Sequence, residues 1–385
     1  MGLSSRAWIG SHVTASPRRF LSSARCALIM DYAPAHPNSH IHSACLPASS
    51  TMSAPTTEPA ILAARRAQQH TIDVSKLPQN LDMSAENITQ NVLAMNDNCG
   101  DPRMKFVMTN LVKHLHDFVR ETSITTEEWM TALLFLTKTG QKCTDIRQEF
   151  ILLSDVLGVS ALVDSMNHAK PPGATESTVL GPFFTTDAMD FENGESIASE
   201  GKGEYMWVEG KVLDTKGNPI PNCIIDTWET DSDGLYDTQY SNRGRPDCRG
   251  RLRTTDDGSF FYRAVVPVSY PIPSDGPVGN LLDALGRHVF RPSHLHMMLE
   301  APGFEKLITA LYPSGDPYLQ SDAVFGVKSS LIENLTTETD PELTRARGFL
   351  NETSHKVLKH NFVLATVEEG IQAKKQTMKA ASGEV

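Results

Sequence analysis

Tyr205-Met206-Trp207-Val208-Glu209-Gly210-Lys211-Val212, the cluster Asp214-Thr215-Lys216-Gly217-Asn218-Pro219 and the run Cys223-Ile224-Ile225-Asp226-Thr227-Trp228 read as strand, turn and strand. β-branched and aromatic residues dominate the two runs. Gly, Asn, Asp and Pro gather between them, where a chain reversal needs unusual φ values and side chains that bond nearby backbone. Similar runs recur at Gly250 to Thr254, Ser259 to Ala264, His294 to Glu300, Leu307 to Leu311 and Val357 to Ala365, with Asp256-Asp257-Gly258 as another tight turn. Short strands punctuated in this way predict an antiparallel β-sandwich over residues 191–385.

Upstream of Pro171-Pro172-Gly173 the pattern is helical. Asp101-Pro102 is an N-cap and first-turn pair ahead of Val107, Leu111, Leu115 and Phe118, which lie at helical spacing. Thr125-Thr126-Glu127-Glu128 is a capping box in front of Trp129, Leu133 and Leu136. Asp145 opens a further helix through Phe150, Leu153 and Leu157. Residues 76–190 are therefore expected to form a helical unit, and the fold class is α+β. Amphipathic helices in succession cannot bury their stripes alone, so dimerisation through them is expected.

The chain has 385 residues with a net charge of −11. No basic patch is visible, which argues against a nucleic-acid partner. No uninterrupted apolar run approaches the roughly 20 residues of a membrane helix. Six scattered cysteines form no C-x-x-C pair, indicating neither a disulfide framework nor a thiolate zinc cluster and pointing to a cytoplasmic setting. Residues 1–75 read as a leader. Its first 57 residues carry four arginines and a single acid, Asp31, so a mitochondrial presequence is the alternative.

The chemistry concentrates at His294-Leu295-His296. Positions i and i+2 of a strand share a face, so these imidazoles can grip one ion from one side. Tyr270 and Tyr236 lie upstream, and two phenol oxygens would complete a mixed nitrogen and oxygen set suited to a hard, oxidised ion such as Fe(III). His-x-His also occurs in cupins and zinc hydratases. Position 288 carries histidine where a cupin has glycine, and His288 is the sole nearby third histidine for zinc.

Three blocks carry a resemblance: Asp226-Thr227-Trp228-Glu229-Thr230-Asp231-Ser232-Asp233-Gly234-Leu235-Tyr236-Asp237, the stretch Tyr270 to Gly279, and Arg291-Pro292-Ser293-His294-Leu295-His296. Together they resemble the intradiol ring-cleavage dioxygenases, most nearly the hydroxyquinol 1,2-dioxygenases. The likeness spans about Asp82 to Ala365 and includes Gly315 to Leu319 and Ser321 to Gly326. It implies a non-haem Fe(III) held by Tyr236, Tyr270, His294 and His296, with Tyr270 the ligand that substrate displaces. It further implies that Arg291 sits over the ring, that Leu152, Asp155, Val179, Leu180, Gly181, Pro182 and Val324 line the substrate pocket, and that a homodimer forms, in some members with bound lipid. The expected reaction inserts both atoms of O2 into an aromatic ortho-diol, hydroxyquinol giving 3-hydroxy-cis,cis-muconate or maleylacetate, with catechol the alternative substrate. Asp155 is expected to accept a hydrogen bond from a third ring hydroxyl.

Two features depart from this pattern. Strict alternation would turn Arg291 away from His294, although Pro292 permits an irregular strand entry. Ala310 stands where the family usually has Gln or His. A non-enzymatic transthyretin-like sandwich and a zinc hydrolase are the rival readings; the first would explain the strands but not the two phenols and two imidazoles.

Overall fold

The computed structural model describes residues 58–69, 73–78, 80–144 and 147–382. Most of the leader, and Asp145, lie outside the described residues. The chain divides into two compact units, with the boundary between Thr131 and Ala132.

In the first unit, α1 (Glu58–Gln69) falls within the stretch for which the sequence suggested no element; its composition, EPAILAARRAQQ, is rich in strong helix formers. α2 (Ile88–Asn96) lies against α3 (Pro102–Thr122). Arg120 of α3 donates to the Ala85 carbonyl at 3.0 Å and to Thr89 Oγ1 at 2.6 Å, while Thr89 also meets His116 Nδ1 at 2.9 Å. Asp101 caps α3 as expected, accepting from the amides of Arg103 and Met104. α3 has no buried residue, so its stripe of Val107, Leu111, Leu115 and Phe118 is exposed. α4 (Thr126–Lys142), within which the boundary falls, begins with the predicted capping box, Glu128 N donating to Thr125 Oγ1 and Thr125 N to Glu128 Oε2.

The second unit holds α5 (Glu149–Val156), α6 (Val159–Asn167) and the strands. β1 (Tyr205–Asp214), β2 (Ile224–Trp228), β3 (Arg249–Arg253) and β4 (Ser259–Val265) fall where the alternating runs predict them. β5 (Tyr270–Pro271) is followed by α7 (Pro277–Ala284), a helix inside a stretch that reads as loop, with Pro277 in the first turn where its missing N–H costs nothing. β6 (Phe290–Arg291), β7 (Leu295–Glu300), β8 (Leu307–Pro313), β9 (Ile332–Glu333) and β10 (Thr336–Glu338) follow. Next come α8 (Pro341–Ala346), β11 (His355–Lys359), β12 (Phe362–Leu364) and α9 (Val367–Ser382).

β5 and β6 form a small two-stranded sheet, and two five-stranded sheets make the sandwich: one runs β10-β11-β1-β12 with β4 on β1, the other β3-β2-β7-β8-β9. The sandwich is mixed rather than purely antiparallel, because β11 and β12 return through a long crossover and pair parallel to β1. The single run predicted from Val357 to Ala365 breaks at His360, where the chain crosses β1. A Cβ on Gly210 would lie 1.7 Å from the His360 carbonyl oxygen, so only glycine admits that crossing.

Met206, Val208, Phe260, Tyr262, Leu358 and Phe362 from the first sheet meet Ile225, Leu252, Leu295, Met297, Leu299, Leu307 and Leu311 from the second. Each fully buried aliphatic side chain contributes about 2 kcal/mol. This core decides the site, because committing the odd-numbered residues of β7 inward forces the even-numbered ones onto the sheet's other face.

Candidate metal centre

The outer face of the second sheet carries a cross-strand row. Arg249 pairs with Trp228, Trp228 with His296, and His296 with Ala310. His294, just before β7, shares this face, as does Tyr312, whose ring centroid lies 5.5 Å from that of His294. Trp228 stacks on His296 with centroids 4.7 Å apart and planes 9° off parallel.

Loops deliver the phenols onto this face. After β2 the chain turns through Gly234, at φ 75°, while Asp231 Oδ1 accepts the amides of Asp233 and Leu235. Tyr236 follows, its ring stacked on Phe183 at 4.4 Å. Its neighbour Asp237 is clamped by the fully buried Arg249 at 2.6 Å and by Arg243 at 2.9 Å. Tyr270 is set by the ladder of β5 and β6, where it stands opposite Arg291.

The polar ends converge. His294 Nε2 lies 3.0 Å from His296 Nε2 and 3.2 Å from the Tyr236 hydroxyl, which is 3.4 Å from that of Tyr270. Arg291 Nη1 sits 3.2 Å from His294 Nε2 and 3.5 Å from the Tyr270 hydroxyl. Donors bonded to one ion at roughly 2.0–2.2 Å stand roughly 2.8–3.8 Å from one another, so these separations fit a shared cation. All five side chains are at most 3% exposed.

The donor chemistry fits as well. His294 Nδ1 is 2.8 Å from the Pro292 carbonyl and must donate to it, which leaves the Nε2 lone pair facing the other donors. Burial, and after it the Arg291 charge, push the His294 imidazole below its ordinary value; burial and the neighbouring His294 do the same to His296. Both rings are therefore neutral, as ligation requires. Burial and the adjacent Tyr270 push the Tyr236 phenol well above its ordinary value, so ionising it here calls for a highly charged cation against the oxygen. One element of the usual pattern is missing: among the described residues His296 Nδ1 is buried with no hydrogen-bond partner, and Ala310, paired with it across the strands, carries no polar side chain. The His296 ring is held by its stack on Trp228.

Arg291 faces His294 despite the parity of the sequence, because β6 ends at Arg291 and β7 begins only at Leu295, with Pro292 in the break. Its Nε and Nη2 bond the two oxygens of Asp322 at 3.1 and 3.3 Å. Burial opposes both charges, yet each holds the other ionised: Asp322 is lowered and Arg291 raised. Asp322 lies within the Ser321 to Gly326 stretch, and nothing local in the sequence links it to a residue 31 positions upstream.

Leu152, Val179 and Val324 gather in one apolar cluster with Ile272, two residues beyond Tyr270. Leu180 joins the cluster around Tyr236 and Tyr270. A Cβ on Gly181 would lie 3.6 Å from His296 Cε1. Asp155 is buried on α5; burial raises its carboxyl, opposed by a Ser160 bond and by the charge of Arg291. Pro182 is exposed and joins none of these clusters. His288 is exposed as well, turned toward the ring of Tyr318, so it supplies no third histidine. Among the described residues no group of three His, Cys, Asp or Glu is placed to hold a metal, which leaves the phenols essential to any ligand set here.

Two tyrosines and two histidines thus converge beneath a buried arginine on a β-sandwich, and comparison with known proteins gives the class of this fold. Residues 101–175 match the family described as catechol dioxygenase N terminus, and residues 179–366 the family described as dioxygenase. The chain is 50% identical over 306 residues to the intradiol ring-cleavage dioxygenase hqdA of Aspergillus niger, covering 80% of this chain and 92% of that one. It is 48% identical over 282 residues to a hydroxyquinol 1,2-dioxygenase of a Rhizobium species, covering 73% and 95%. The solved hydroxyquinol 1,2-dioxygenase of Pseudomonas putida DLL-E4 superposes with a TM-score of 0.69 at 45% identity, covering 73% of this chain and 98% of that one. The chain belongs to the intradiol ring-cleavage dioxygenases.

Proposed function

We propose that this enzyme cleaves hydroxyquinol between its adjacent hydroxylated carbons, using a non-haem Fe(III) held by Tyr236, Tyr270, His294 and His296. The observation that carries this reading is the convergence of two phenol oxygens and two imidazole Nε2 atoms, with neighbouring separations of 3.0–3.4 Å, on side chains at most 3% exposed. When bound, the ferric ion supplies Lewis acidity and an electronic route between the aromatic ring and O2.

The side chains do the rest. Two phenolates balance most of a trivalent charge, so the centre is held without a large desolvation cost. Tyr270, the phenol within 3.5 Å of Arg291, would help hold the ion and would take a proton from one diol hydroxyl as the substrate enters. Arg291 Nη1 then faces the ring and stabilises the carbanion-like form in which electron density moves onto carbon; a fixed guanidinium acts strongly in so dry a site. Leu152, Val179 and Val324 form an apolar wall for the ring, and Asp155 at its edge accepts a hydrogen bond from the third hydroxyl. Both atoms of O2 enter the product, 3-hydroxy-cis,cis-muconate or its tautomer maleylacetate. The exposed stripe of α3 supports a homodimer.

Oxygen uptake on hydroxyquinol, catechol and protocatechuate tests the assignment. Hydroxyquinol is expected to give the highest kcat/KM. Catechol in first place would replace the substrate but keep the class, and protocatechuate in first place would refute the pocket, because the Asp155 carboxylate would repel the substrate's own.

A further inference from the structure

Asp322 touches neither the phenol oxygens nor the imidazoles, yet its carboxylate is 2% exposed and organises two things at once. Toward its own loop it accepts the amides of Val324 at 3.3 Å and Gly326 at 2.9 Å. Toward the site it takes Arg291 Nε and Nη2. A guanidinium is planar, so fixing Nε and Nη2 fixes the direction of Nη1, the one nitrogen left to meet Tyr270 and His294. The loop is locked in turn, because Thr178 Oγ1 donates to the Gly326 carbonyl at 2.6 Å and Ala323 N donates to the Phe290 carbonyl at 3.2 Å. A Cβ on Gly326 would fall 2.9 Å from Arg291 Nη2 and 3.2 Å from Asp322 Oδ2, leaving no space beside the pair.

We infer that Asp322, with the room left by Gly326, is the positioning residue that aims Arg291 Nη1 at the ring-bearing side of the centre. This rests on the assignment of Arg291 as the group that stabilises the ring in the proposed reaction. Misplacing such a group by about 1 Å costs on the order of 100-fold in rate. The loop also carries Val324 of the ring wall, so the same five residues set where the ring lies and where the guanidinium points.

The test uses iron-loaded full-length protein and three single variants, Arg291→Ala, Asp322→Asn and Gly326→Ala. Asp322→Asn keeps the shape but replaces one acceptor oxygen by a donor facing a donor; Gly326→Ala leaves the carboxylate intact and pushes on Nη2. Asp322→Asn is expected to lower kcat by roughly 100-fold and Gly326→Ala by roughly 10-fold. Iron content and visible absorption should stay unchanged, as should the affinity for hydroxyquinol titrated without oxygen. In an Arg291→Ala background, Asp322→Asn should cost less than about twofold further, because a residue acting through Arg291 has nothing left to aim. Full activity in Arg291→Ala would refute the role of Arg291 and this inference with it. A large loss in Arg291→Ala with kcat within twofold of wild type in both other variants would overturn the positioning of Asp322 alone. An undiminished effect of Asp322→Asn in the Arg291→Ala background would do the same by showing a general structural role. If Asp322→Asn does not fold, Gly326→Ala decides.

Discussion

Tyr270 and Arg291 stand opposite each other in the ladder of β5 and β6, and this one pairing brings a phenol hydroxyl within 3.5 Å of a buried guanidinium. The two strands have only two residues each, yet they fix the Tyr270 phenol relative to the Arg291 guanidinium.

The phenols make the first prediction. The iron-loaded protein should be wine-red from tyrosinate-to-iron charge transfer, and Tyr236→Phe and Tyr270→Phe should each weaken or shift the band. Chelation should remove the colour and ferric ion restore it, whereas Zn²⁺ should give a colourless protein. A colourless ferric protein would show that the phenols are not ligands.

Because His296 is stacked on Trp228 and has no partner for Nδ1, its orientation depends on that stack. Trp228→Leu should weaken iron retention by about tenfold or more, the usual effect of losing the support of a metal-bound histidine. Iron stoichiometry after dialysis against a weak chelator measures it, and retention equal to wild type would count against the stack.

Both imidazoles are held below their ordinary value by burial. The unfolded chain takes up protons on them near pH 6.5, while the folded one does not, so the metal-free protein should lose stability as pH falls below about 6.5. Urea midpoints at pH 7.5 and pH 5 measure the slope. A His294→Asn and His296→Asn double variant should show a smaller drop, and an equal drop in both proteins would refute the prediction.

Asp155 is buried on α5 within reach of the Arg291 charge. Asp155→Ala should lower kcat/KM for hydroxyquinol by about 10-fold or more and leave catechol nearly unaffected, because only the former has a hydroxyl to lose a partner. An unchanged ratio between the two diols would remove Asp155 from the pocket.

The stripe on α3 leaves Leu111, Leu115 and Phe118 each about half exposed, at 46–53%. Sedimentation should find a dimer, and Leu115→Glu should shift it toward monomer without changing the visible spectrum of the iron site. A wild-type monomer at micromolar concentration would refute this use of the stripe.

Local periodicity was enough to place β1, β2, β3, β4, β7 and β8 and the caps of α3 and α4, because alternation and capping depend on neighbours a few residues apart. It also put His294 and His296 on one face, and the motif blocks named both tyrosines. The inward turn of Arg291, the partnership of Asp322 with a strand 31 residues away and the stack of Trp228 on His296 were set by the tertiary structure. So was α7, since Pro277 and Gly279 read locally as loop until packing buried Val278 and Leu282. The reason is physical: strand parity is a property of one segment, whereas the direction of a buried polar group is fixed by whatever distant segment supplies its hydrogen bonds.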